Sequence, residues 1–338
     1  MMFFKKKKET NSDVDKAFDL SFDDVSEEIN AQLNDELYIS LVGDVNAGKS
    51  STINALLEED LVTVGARPGE TVEVKEIRHK ENIIFVDTPG LDDVVTENSA
   101  KTLAYYKKSD VILFFLNAAG TVLSENELKT LQAIEKSNKD ILIVLNKIDA
   151  ADDILSLVDY INKQTKARYP IIPISSRTGE NLADLQDAIL EILETKSKDL
   201  LLGKELKDKN RVANNWIISA GAAATSVGAL PVPGSDFVPL VGIQVSLILK
   251  LSSLYNKPIS KANAKELIIA TVVGNAGKAV FRQVIKFVPG AGSVVGASVA
   301  GGTTIALGHA IKYIYENDLN LNVKELNKIY LSFMKKEK

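Results

Sequence analysis

The sequence predicts an α/β domain with a doubly wound, mostly parallel sheet, followed by an all-α domain of helical hairpins. Between residues 36 and 197, short apolar runs alternate with segments of helical periodicity, the pattern of parallel strands covered on both faces by helices. From Trp216 to Ile311, charges become sparse, Gly, Ala, Val and Ser dominate, and Pro-Gly pairs interrupt apolar helices. A chain of 338 residues is long enough for two cores. The expected organisation is an N-terminal tail and amphipathic helix (1–35), the α/β domain (36–197), a charged linker, which could be helical (198–210), and the helical domain (211–338).

The N-terminal segment begins basic and then turns acidic. We expect a disordered start followed by an amphipathic helix, because apolar residues recur with loose helical spacing between Phe18 and Leu33. The cluster from Phe3 to Lys8 fits either an interfacial anchor on anionic lipid or a solvated tail. No apolar stretch follows it, so a secretory signal is not predicted.

Six apolar runs of the α/β domain are the predicted strands. They are Leu37–Val42, Val72–Ile77, Asn82–Val86, Val111–Leu116, Ile141–Leu145 and Ile171–Ile174. The second run alternates between apolar and charged residues and is expected to be exposed on one face. Doubly wound sheets bind ligands at the carboxyl ends of their strands, so the motifs that follow these runs are the candidate site.

A glycine-rich loop follows the first strand and precedes a helix. Residues 43–50 read Gly-Asp-Val-Asn-Ala-Gly-Lys-Ser and match the pattern G-x-x-x-x-G-K-[ST]. Glycine lets the backbone N–H groups converge on phosphate oxygens, and the start of the helix adds its positive dipole end. Lys49 supplies a charge for the β- and γ-phosphates, and the Ser50 hydroxyl is placed for Mg²⁺. The predicted phosphate contacts are Gly43, Asn46, Ala47, Gly48, Lys49, Ser50 and Ser51.

The third strand is followed by Asp-Thr-Pro-Gly at residues 87–90. Asp87 can hold Mg²⁺ through a water molecule, and the Gly90 N–H can reach a γ-phosphate. Thr71, ahead of the second strand, is placed to sense both the metal and this phosphate, although Thr63 in the same loop is an alternative.

The last two strands are followed by motifs that predict base recognition. In Asn-Lys-Ile-Asp at 146–149, the Asp149 carboxylate can accept hydrogen bonds from N1–H and the exocyclic amine of guanine. Adenine has neither donor and would leave the carboxylate unpaired. Ser-Ser-Arg at 175–177 offers a backbone N–H to the guanine O6. The predicted base contacts are Asn146, Lys147, Asp149, Ser175, Ser176 and Arg177.

In this order and at these strand ends, the motifs resemble those of the Ras-like P-loop GTPases, and within them the bacterial Era and TrmE-like group. The resemblance covers about residues 36–197 and implies a domain that binds GTP and GDP with Mg²⁺ and hydrolyses GTP. By position it assigns phosphate and metal binding to Lys49 and Ser50, switch contacts to Thr71 and Gly90, and guanine recognition to Asn146, Lys147 and Asp149. The residues assigned to the catalytic step are Lys49, Thr71, Gly90 and Asn46.

One position departs from the pattern of many signalling GTPases. Leu91 stands where those proteins carry a glutamine that orients the attacking water, so intrinsic hydrolysis is expected to be slow. In potassium-activated relatives, an asparagine at the position of Asn46 coordinates a K⁺ that acts where an arginine finger would. K⁺ activation is therefore one hypothesis, and the alternative is that Asn46 only favours the geometry of the loop.

Two passages of the second half, residues 229–239 and 286–295, resemble each other and predict duplicated helical hairpins. Three alternatives stay open for them: a soluble bundle with a lipid-binding surface, insertion into a membrane, and a plain soluble core. This half resembles an uncharacterised helical domain found behind Era-like GTPase domains in bacteria and often predicted to touch membrane. A further helix is expected over residues 323–334.

The net charge and the cysteine content limit the binding partners and the cellular compartment that we expect. The net charge of −5 provides no basic field, so nucleic acid is not expected as a partner, and the absence of cysteine excludes disulfides and suits a reducing cytoplasm. We expect a bacterial guanine-nucleotide switch at the inner face of the cell membrane, peripheral or integral, with a membrane or membrane-protein partner. Alternatives are a ribosome- or RNA-assembly GTPase, a non-hydrolysing nucleotide-gated scaffold, and a dynamin-like membrane remodeller with nucleotide-dependent dimers or oligomers.

Overall fold

A computed structural model describes residues 2–59, 74–88, 99–228, 237–272 and 299–321, together with Lys324. The chain divides into two compact units. Gln32–Lys207 form one of them, here called the sheet unit. Met1–Ala31 and Asp208–Lys338 form the other, here called the helical unit.

The sheet unit is built on six strands in the order β2-β3-β1-β4-β5-β6. They are β1 (Leu37–Val42), β2 (Lys75–His79), β3 (Ile83–Asp87), β4 (Val111–Asn117), β5 (Ile141–Asn146) and β6 (Ile171–Pro173). All neighbouring pairs are parallel except β2 and β3, which are antiparallel. The predicted doubly wound, mostly parallel sheet is confirmed. The second strand begins at Lys75, and the predicted start at Val72 lies outside the described residues.

Eleven helices are present in the described parts of the chain. They are α1 (Met2–Asn34), α2 (Lys49–Leu57), α3 (Ser99–Lys108), α4 (Glu125–Glu135), α5 (Ile154–Thr165), α6 (Leu182–Glu194), α7 (Asp199–Glu205), α8 (Lys209–Gly228), α9 (Phe237–Leu254), α10 (Lys261–Val272) and α11 (Val299–Glu316). The local sequence explains where two of these helices begin. Ser124 and Glu127 form a capping box at the start of α4, and the Asp153 carboxylate accepts from the Ser156 N–H at the start of α5.

The core of the sheet unit lies between the central strands and the helices that cover them. Phe114 and Ile143, from neighbouring strands, are fully buried, and Leu131 of α4 and Ile161 of α5 pack into the same cluster. Continuous apolar strands of this kind need helices on both faces, which is why the sequence pattern identified the fold. This packing fixes the carboxyl ends of β1, β4 and β5, from which the candidate site is built.

Residues 198–210, expected to be a helix or linker that leaves the α/β domain, belong mostly to that domain. This segment contains α7, and the sheet unit extends through Lys207. Leu200 and Leu202 are buried, and the Leu200 N–H donates to the Gln32 side-chain oxygen at 3.0 Å. The charged residues of this segment suggested an exposed linker, but its run of three leucines supplies an apolar face that has to be covered.

The helical unit corrects a second expectation, because α1 begins at Met2 where a disordered start was predicted. Phe18 is fully buried, and on the exposed side Asp19 and Asp23 form ion pairs with Lys265 and Lys261 of α10. Burial of one face and charge pairing along the other account for a long helix in this segment.

Within the same unit, α8 and α11 pack unusually closely through glycines. A Cβ atom added at Gly301 would lie 2.8 Å from the Gly221 oxygen, so only glycine allows this backbone approach. Helices α8 and α9 flank residues 229–236, the first predicted hairpin tip. That tip, the second passage at 286–295 and, apart from Lys324, the predicted helix at 323–334 lie outside the described residues. In the described part of the chain, no helix has both the length and the apolarity needed to cross a bilayer.

Candidate nucleotide site

The loop between β1 and α2 has the backbone conformation that its glycines predict. Gly43 and Gly48 have φ angles of +147° and +93°, and Asn46 is also left-handed at 66°. A Cβ atom on Gly43 would lie 2.6 Å from the Phe115 carbonyl oxygen, so the loop rests directly on β4. This close backbone packing makes glycine necessary at position 43. Gly48 is the N-cap of α2, which begins at Lys49.

Lys49 folds back into the loop. Its Nζ donates to the carbonyl oxygens of Gly43 at 2.8 Å and Asp44 at 3.2 Å. Burial lowers the pKa of Lys49, and the charges of Asp87 and Asp44 oppose that shift. The ammonium group therefore sits at the centre of the loop, where phosphate oxygens would replace the two carbonyl groups as its acceptors.

Asp87 ends β3 and faces this lysine. Burial raises the pKa of Asp87, while the positive charges of Lys49 and Lys75 oppose the shift. Its Oδ1 atom is buried and has no hydrogen-bond partner among the described residues. A buried carboxylate oxygen without a donor fits the oxygen donor set that Mg²⁺ prefers, to which the Ser50 hydroxyl at the start of α2 could add a further oxygen.

Asn146, at the end of β5, is fully buried and joins two loops. Its Nδ2 donates to the Ala47 carbonyl at 3.0 Å and to the Ser176 hydroxyl at 3.2 Å. Its Oδ1 accepts from the Ser176 N–H at 3.1 Å and from the Lys147 N–H at 2.7 Å. The predicted base-contacting asparagine is therefore a brace between the phosphate loop and the loop that begins at Ser175.

Asp149 lies in a short 3₁₀ turn, Ile148–Ala150, which left-handed Lys147 starts. Its Oδ1 accepts from the Ser175 hydroxyl at 2.5 Å, and its Oδ2 pairs with an Arg177 guanidinium nitrogen at 2.5 Å. The Ser175 hydrogen bond, assisted by the Arg177 charge, lowers the pKa of Asp149. The carboxylate is consequently ionised at neutral pH and can only accept hydrogen bonds, as recognition of guanine requires.

Most of the site residues predicted from the sequence lie in the described part of the chain, at one edge of the sheet. The phosphate-loop residues, Asp87, Asn146, Asp149 and the Ser175–Arg177 loop all lie at the carboxyl ends of β1, β3, β5 and β6. Ser51 is half-buried in the first turn of α2. Thr71, Thr63, Gly90 and Leu91 lie outside the described residues.

Three residues that support the site were not assigned a role from the sequence. Thr52 donates to the Gly48 carbonyl at 2.8 Å, and Thr88 donates to the Leu41 carbonyl at 2.9 Å. Tyr106, fully buried in α3, donates to the Thr88 hydroxyl at 3.3 Å. Thr88 is part of the Asp-Thr-Pro-Gly motif and Thr52 lies two residues beyond the phosphate-loop pattern, which is a usable signal, whereas nothing in the sequence linked Tyr106 to the site.

Fold and site together define an α/β nucleotide-binding domain with a phosphate-binding loop. Residues 38–147 match the model of a family described as 50S ribosome-binding GTPase. The matched segment runs from the second residue of β1 to the residue after β5 and contains the phosphate loop, Asp87 and Asn146.

The curated relatives match about half of the chain. GTPase Era of Aquifex aeolicus is 33% identical over 169 residues, which is 46% of this chain and 56% of that protein. The tRNA modification GTPase MnmE of Thermotoga maritima is 35% identical over 195 residues, 54% of this chain and 42% of that protein. GTPase Der of Sulfurihydrogenibium sp. is 31% identical over 174 residues, 47% of this chain and 38% of that protein. The chain spans about half the length, or less, of these relatives.

Among solved structures, the chain is similar to the G domain of the T. maritima FeoB iron transporter. The identity is 28%, and the match covers 47% of this chain and 99% of that chain. The TM-score is 0.35, which is too low to support a structural inference.

Proposed function

We propose that the sheet unit binds GTP, hydrolyses it to GDP and phosphate, and works as a guanine-nucleotide switch. The proposal rests on one observation: the Asn146 side chain holds the phosphate loop and the Ser175–Arg177 loop together beside an ionised Asp149. A phosphate site and a carboxylate suited to guanine thus form one arrangement. The matched family and the relatives, all GTPases by name, support the same activity.

In this proposal different residues of the chain bind the phosphates, the base and the metal ion. Backbone N–H groups of residues 43–51 and the Lys49 ammonium receive the phosphates, and the Asp149 carboxylate accepts from N1–H and the exocyclic amine of the base. Ser50, Thr71 and, through water, Asp87 would hold Mg²⁺. The metal would supply charge neutralisation on the phosphates when bound.

Hydrolysis of GTP is proposed to be slow in the chain alone and to be accelerated by an activator such as K⁺. Thr71 and Gly90 are the proposed γ-phosphate contacts, and Leu91 cannot orient water. Asn46 is exposed and left-handed in the phosphate loop, which suits a residue that helps to coordinate K⁺ beside the phosphates. Equal turnover in NaCl and KCl at matched ionic strength would exclude K⁺ activation and leave Asn46 a purely conformational role.

The first test compares binding of GDP and ADP by calorimetry and then follows phosphate release from GTP. GDP is expected to bind much more tightly than ADP, and Asp149→Ala is expected to remove that preference. Equal affinity for both nucleotides, or none for either, would refute the proposal. GDP binding without phosphate release, with or without K⁺, lipid or protein partners, would favour the non-hydrolysing scaffold.

A second candidate role is assembly of the ribosome or processing of RNA. The matched family is described as ribosome-binding, and MnmE is named for tRNA modification, which weighs against the expectation that nucleic acid is no partner. Co-sedimentation with ribosomal subunits that depends on nucleotide and weakens with salt would support this role.

The helical unit is proposed to be the effector of the switch, acting at the inner face of a membrane. Support comes from the sequence: the Phe3–Lys8 cluster at the start of α1 combines aromatic and basic residues, and charge is sparse in the second half. Flotation of the full chain with anionic liposomes, loaded with GDP or a non-hydrolysable GTP analogue, tests this. A failure to float in either state would remove the membrane from the proposal, whereas nucleotide-dependent dimers or larger oligomers would favour a remodeller.

A further inference from the structure

Both oxygens of the Asp149 carboxylate already have partners within the chain. Oδ1 accepts from the Ser175 hydroxyl, and Oδ2 forms an ion pair with an Arg177 guanidinium nitrogen. The two partners differ in kind. Ser175 is fully buried and its Oγ also accepts from the Thr178 N–H at 3.1 Å, so it is fixed in place. Arg177, in contrast, extends toward solvent.

The guanidinium group is chemically similar to the edge of guanine that a carboxylate reads. In guanine, N1, C2 and the exocyclic amine form a guanidine fragment whose N–H donors point in parallel. Arginine presents the same planar fork of N–H donors to carboxylates. Each carboxylate oxygen has two lone pairs, so Oδ1 can receive a donor of the base in addition to the small Ser175 hydroxyl. At Oδ2 the base meets a second planar donor group, the Arg177 guanidinium, at 2.5 Å. Guanine and the Arg177 side chain therefore compete for the charge of Oδ2 and for the space in front of it.

Exposure indicates which of the two groups in this ion pair moves. The Asp149 side chain is 11% exposed, whereas the Arg177 side chain is 76% exposed. Exposed ion pairs contribute little, because solvent and salt screen the attraction and holding a long side chain costs entropy. The pair can thus open easily, and an exposed side chain changes rotamer on the picosecond to nanosecond timescale, well before a nucleotide arrives.

Building on the proposed guanine-nucleotide function, we propose that Arg177 is an intramolecular placeholder for the base. Its guanidinium pairs with Asp149 in the nucleotide-free chain and is displaced when guanine binds. It keeps the carboxylate paired while the site is empty, and it slows guanine nucleotide association by occupying the acceptor. The side chain is therefore a residue that sets the rate of nucleotide loading, in addition to any backbone contact with O6.

A placeholder changes the rate of nucleotide association, whereas a residue that contacts the bound base changes the rate of dissociation. We call the state with the Arg177–Asp149 ion pair the closed form and the state without it the open form. A nucleotide that binds only to the open form finds only a fraction of the protein competent to bind, and its apparent affinity falls by that fraction. For an exposed ion pair the closed form is favoured by about 2- to 5-fold. Removing the guanidinium is expected to raise the association rate constant by roughly that factor and to leave dissociation unchanged. A residue that contacts the bound base would instead change dissociation.

The experiment measures association and dissociation of fluorescently labelled GDP by stopped flow in wild type, Arg177→Gln and Arg168→Gln. Arg168 is the matched control, because it also forms an exposed ion pair, with Glu135 at 2.7 Å, but at the opposite end of β6. The three proteins are compared at low and high NaCl with constant Mg²⁺. Thermal midpoints without nucleotide establish that each variant is folded.

Arg177→Gln is expected to associate about 2- to 5-fold faster than wild type at low salt, with the gap closing at high salt. Arg168→Gln is expected to match wild type in both conditions. Association by Arg177→Gln that is unchanged or slower, or a gain that lies in dissociation, would overturn the placeholder role. Absence of GDP binding in wild type would be a failure of the proposed function itself, which this design separates from the other outcomes.

Discussion

The Asn146 side-chain amide donates to the main-chain oxygen of Ala47 at 3.0 Å, which fixes the end of β5 to the phosphate loop. The same side chain accepts from the Ser176 N–H at 3.1 Å. One buried residue thus sets the spacing between the loop for the phosphates and the loop for the base. Preorganisation of this kind reduces the ordering cost of binding a ligand that reaches across both loops.

Replacing this residue tests the brace directly. Asn146→Ala removes the bonds to both loops and leaves buried partners unsatisfied, so we expect a loss of about 2–3 kcal/mol in the free energy of unfolding. GDP affinity is expected to fall as well, because the two loops are no longer held in register. Urea unfolding and calorimetry measure the two effects.

Asn138→Ala is the matched control for that prediction. Asn138 donates to the carbonyls of Tyr106 at 2.9 Å and Ser109 at 2.7 Å, and it precedes β5 at the other end of the sheet. It is expected to cost similar stability but to leave GDP affinity unchanged. Equal losses of affinity in both variants would mean that general destabilisation, rather than the brace, controls binding.

The sequence predicted the parallel strands well because buried parallel strands are continuous apolar runs, and their bounds shift by at most one residue, whereas the antiparallel β2 begins three residues after its predicted start. It also placed the motif residues at the correct strand ends, since topology brings those ends together. It did not predict that Asn146 braces the loops or that Arg177 pairs with Asp149, because side-chain partners depend on three-dimensional distance. For residues 198–210 it left a helix and a linker open, and it did not predict that the apolar face of α7 packs into the sheet unit.

Lys49 provides a test of the phosphate site. Lys49→Met keeps most of the side-chain volume but removes charge-assisted hydrogen bonds, so GDP affinity is expected to fall by roughly 10- to 100-fold. Lys75→Met is the control, since Lys75 also interacts electrostatically with Asp87 but lies on the exposed edge strand β2. Calorimetric titration of both variants with GDP measures the difference, and similar affinities would remove Lys49 from the phosphate site.

Gly48 provides a test of the close contact between the loops. A Cβ atom at this position would lie 2.0 Å from Asn146 Nδ2, and the φ angle of +93° adds left-handed strain. Gly48→Ala is expected to cost at least about 2 kcal/mol in the free energy of unfolding.

Gly179→Ala separates strain from contact in that comparison. Gly179 has a φ of +83°, but a Cβ there would meet nothing within 4 Å. This variant is therefore expected to cost only about 1 kcal/mol, from strain alone. Urea unfolding of the two variants side by side gives the difference, and equal costs would show that the Asn146 contact yields without penalty.

His309 gives the helical unit a predictable response to acid. Burial lowers the pKa of His309 to about 4, the charge of Lys312 acts in the same direction, and its Nε2 has no hydrogen-bond partner among the described residues. The unfolded chain takes up a proton near pH 6.5 and the folded chain only near pH 4, so stability falls as the pH drops between these values. The loss is expected to reach at most about 3 kcal/mol.

The single tryptophan of the chain, Trp216, is buried in α8, so its fluorescence reports unfolding of the helical unit. Urea unfolding of wild type and His309→Gln across pH 4 to 7 measures the prediction, because glutamine does not titrate and carboxylates contribute equally to both proteins. The difference in stability between the two proteins should shrink or reverse toward acid. His79→Gln, which changes the chain's other histidine and lies in the sheet unit, is expected to leave this pH dependence as it is in wild type. Parallel pH profiles for wild type and His309→Gln would mean that burial of His309 does not control the response to acid, and that the carboxylates of the helical unit do.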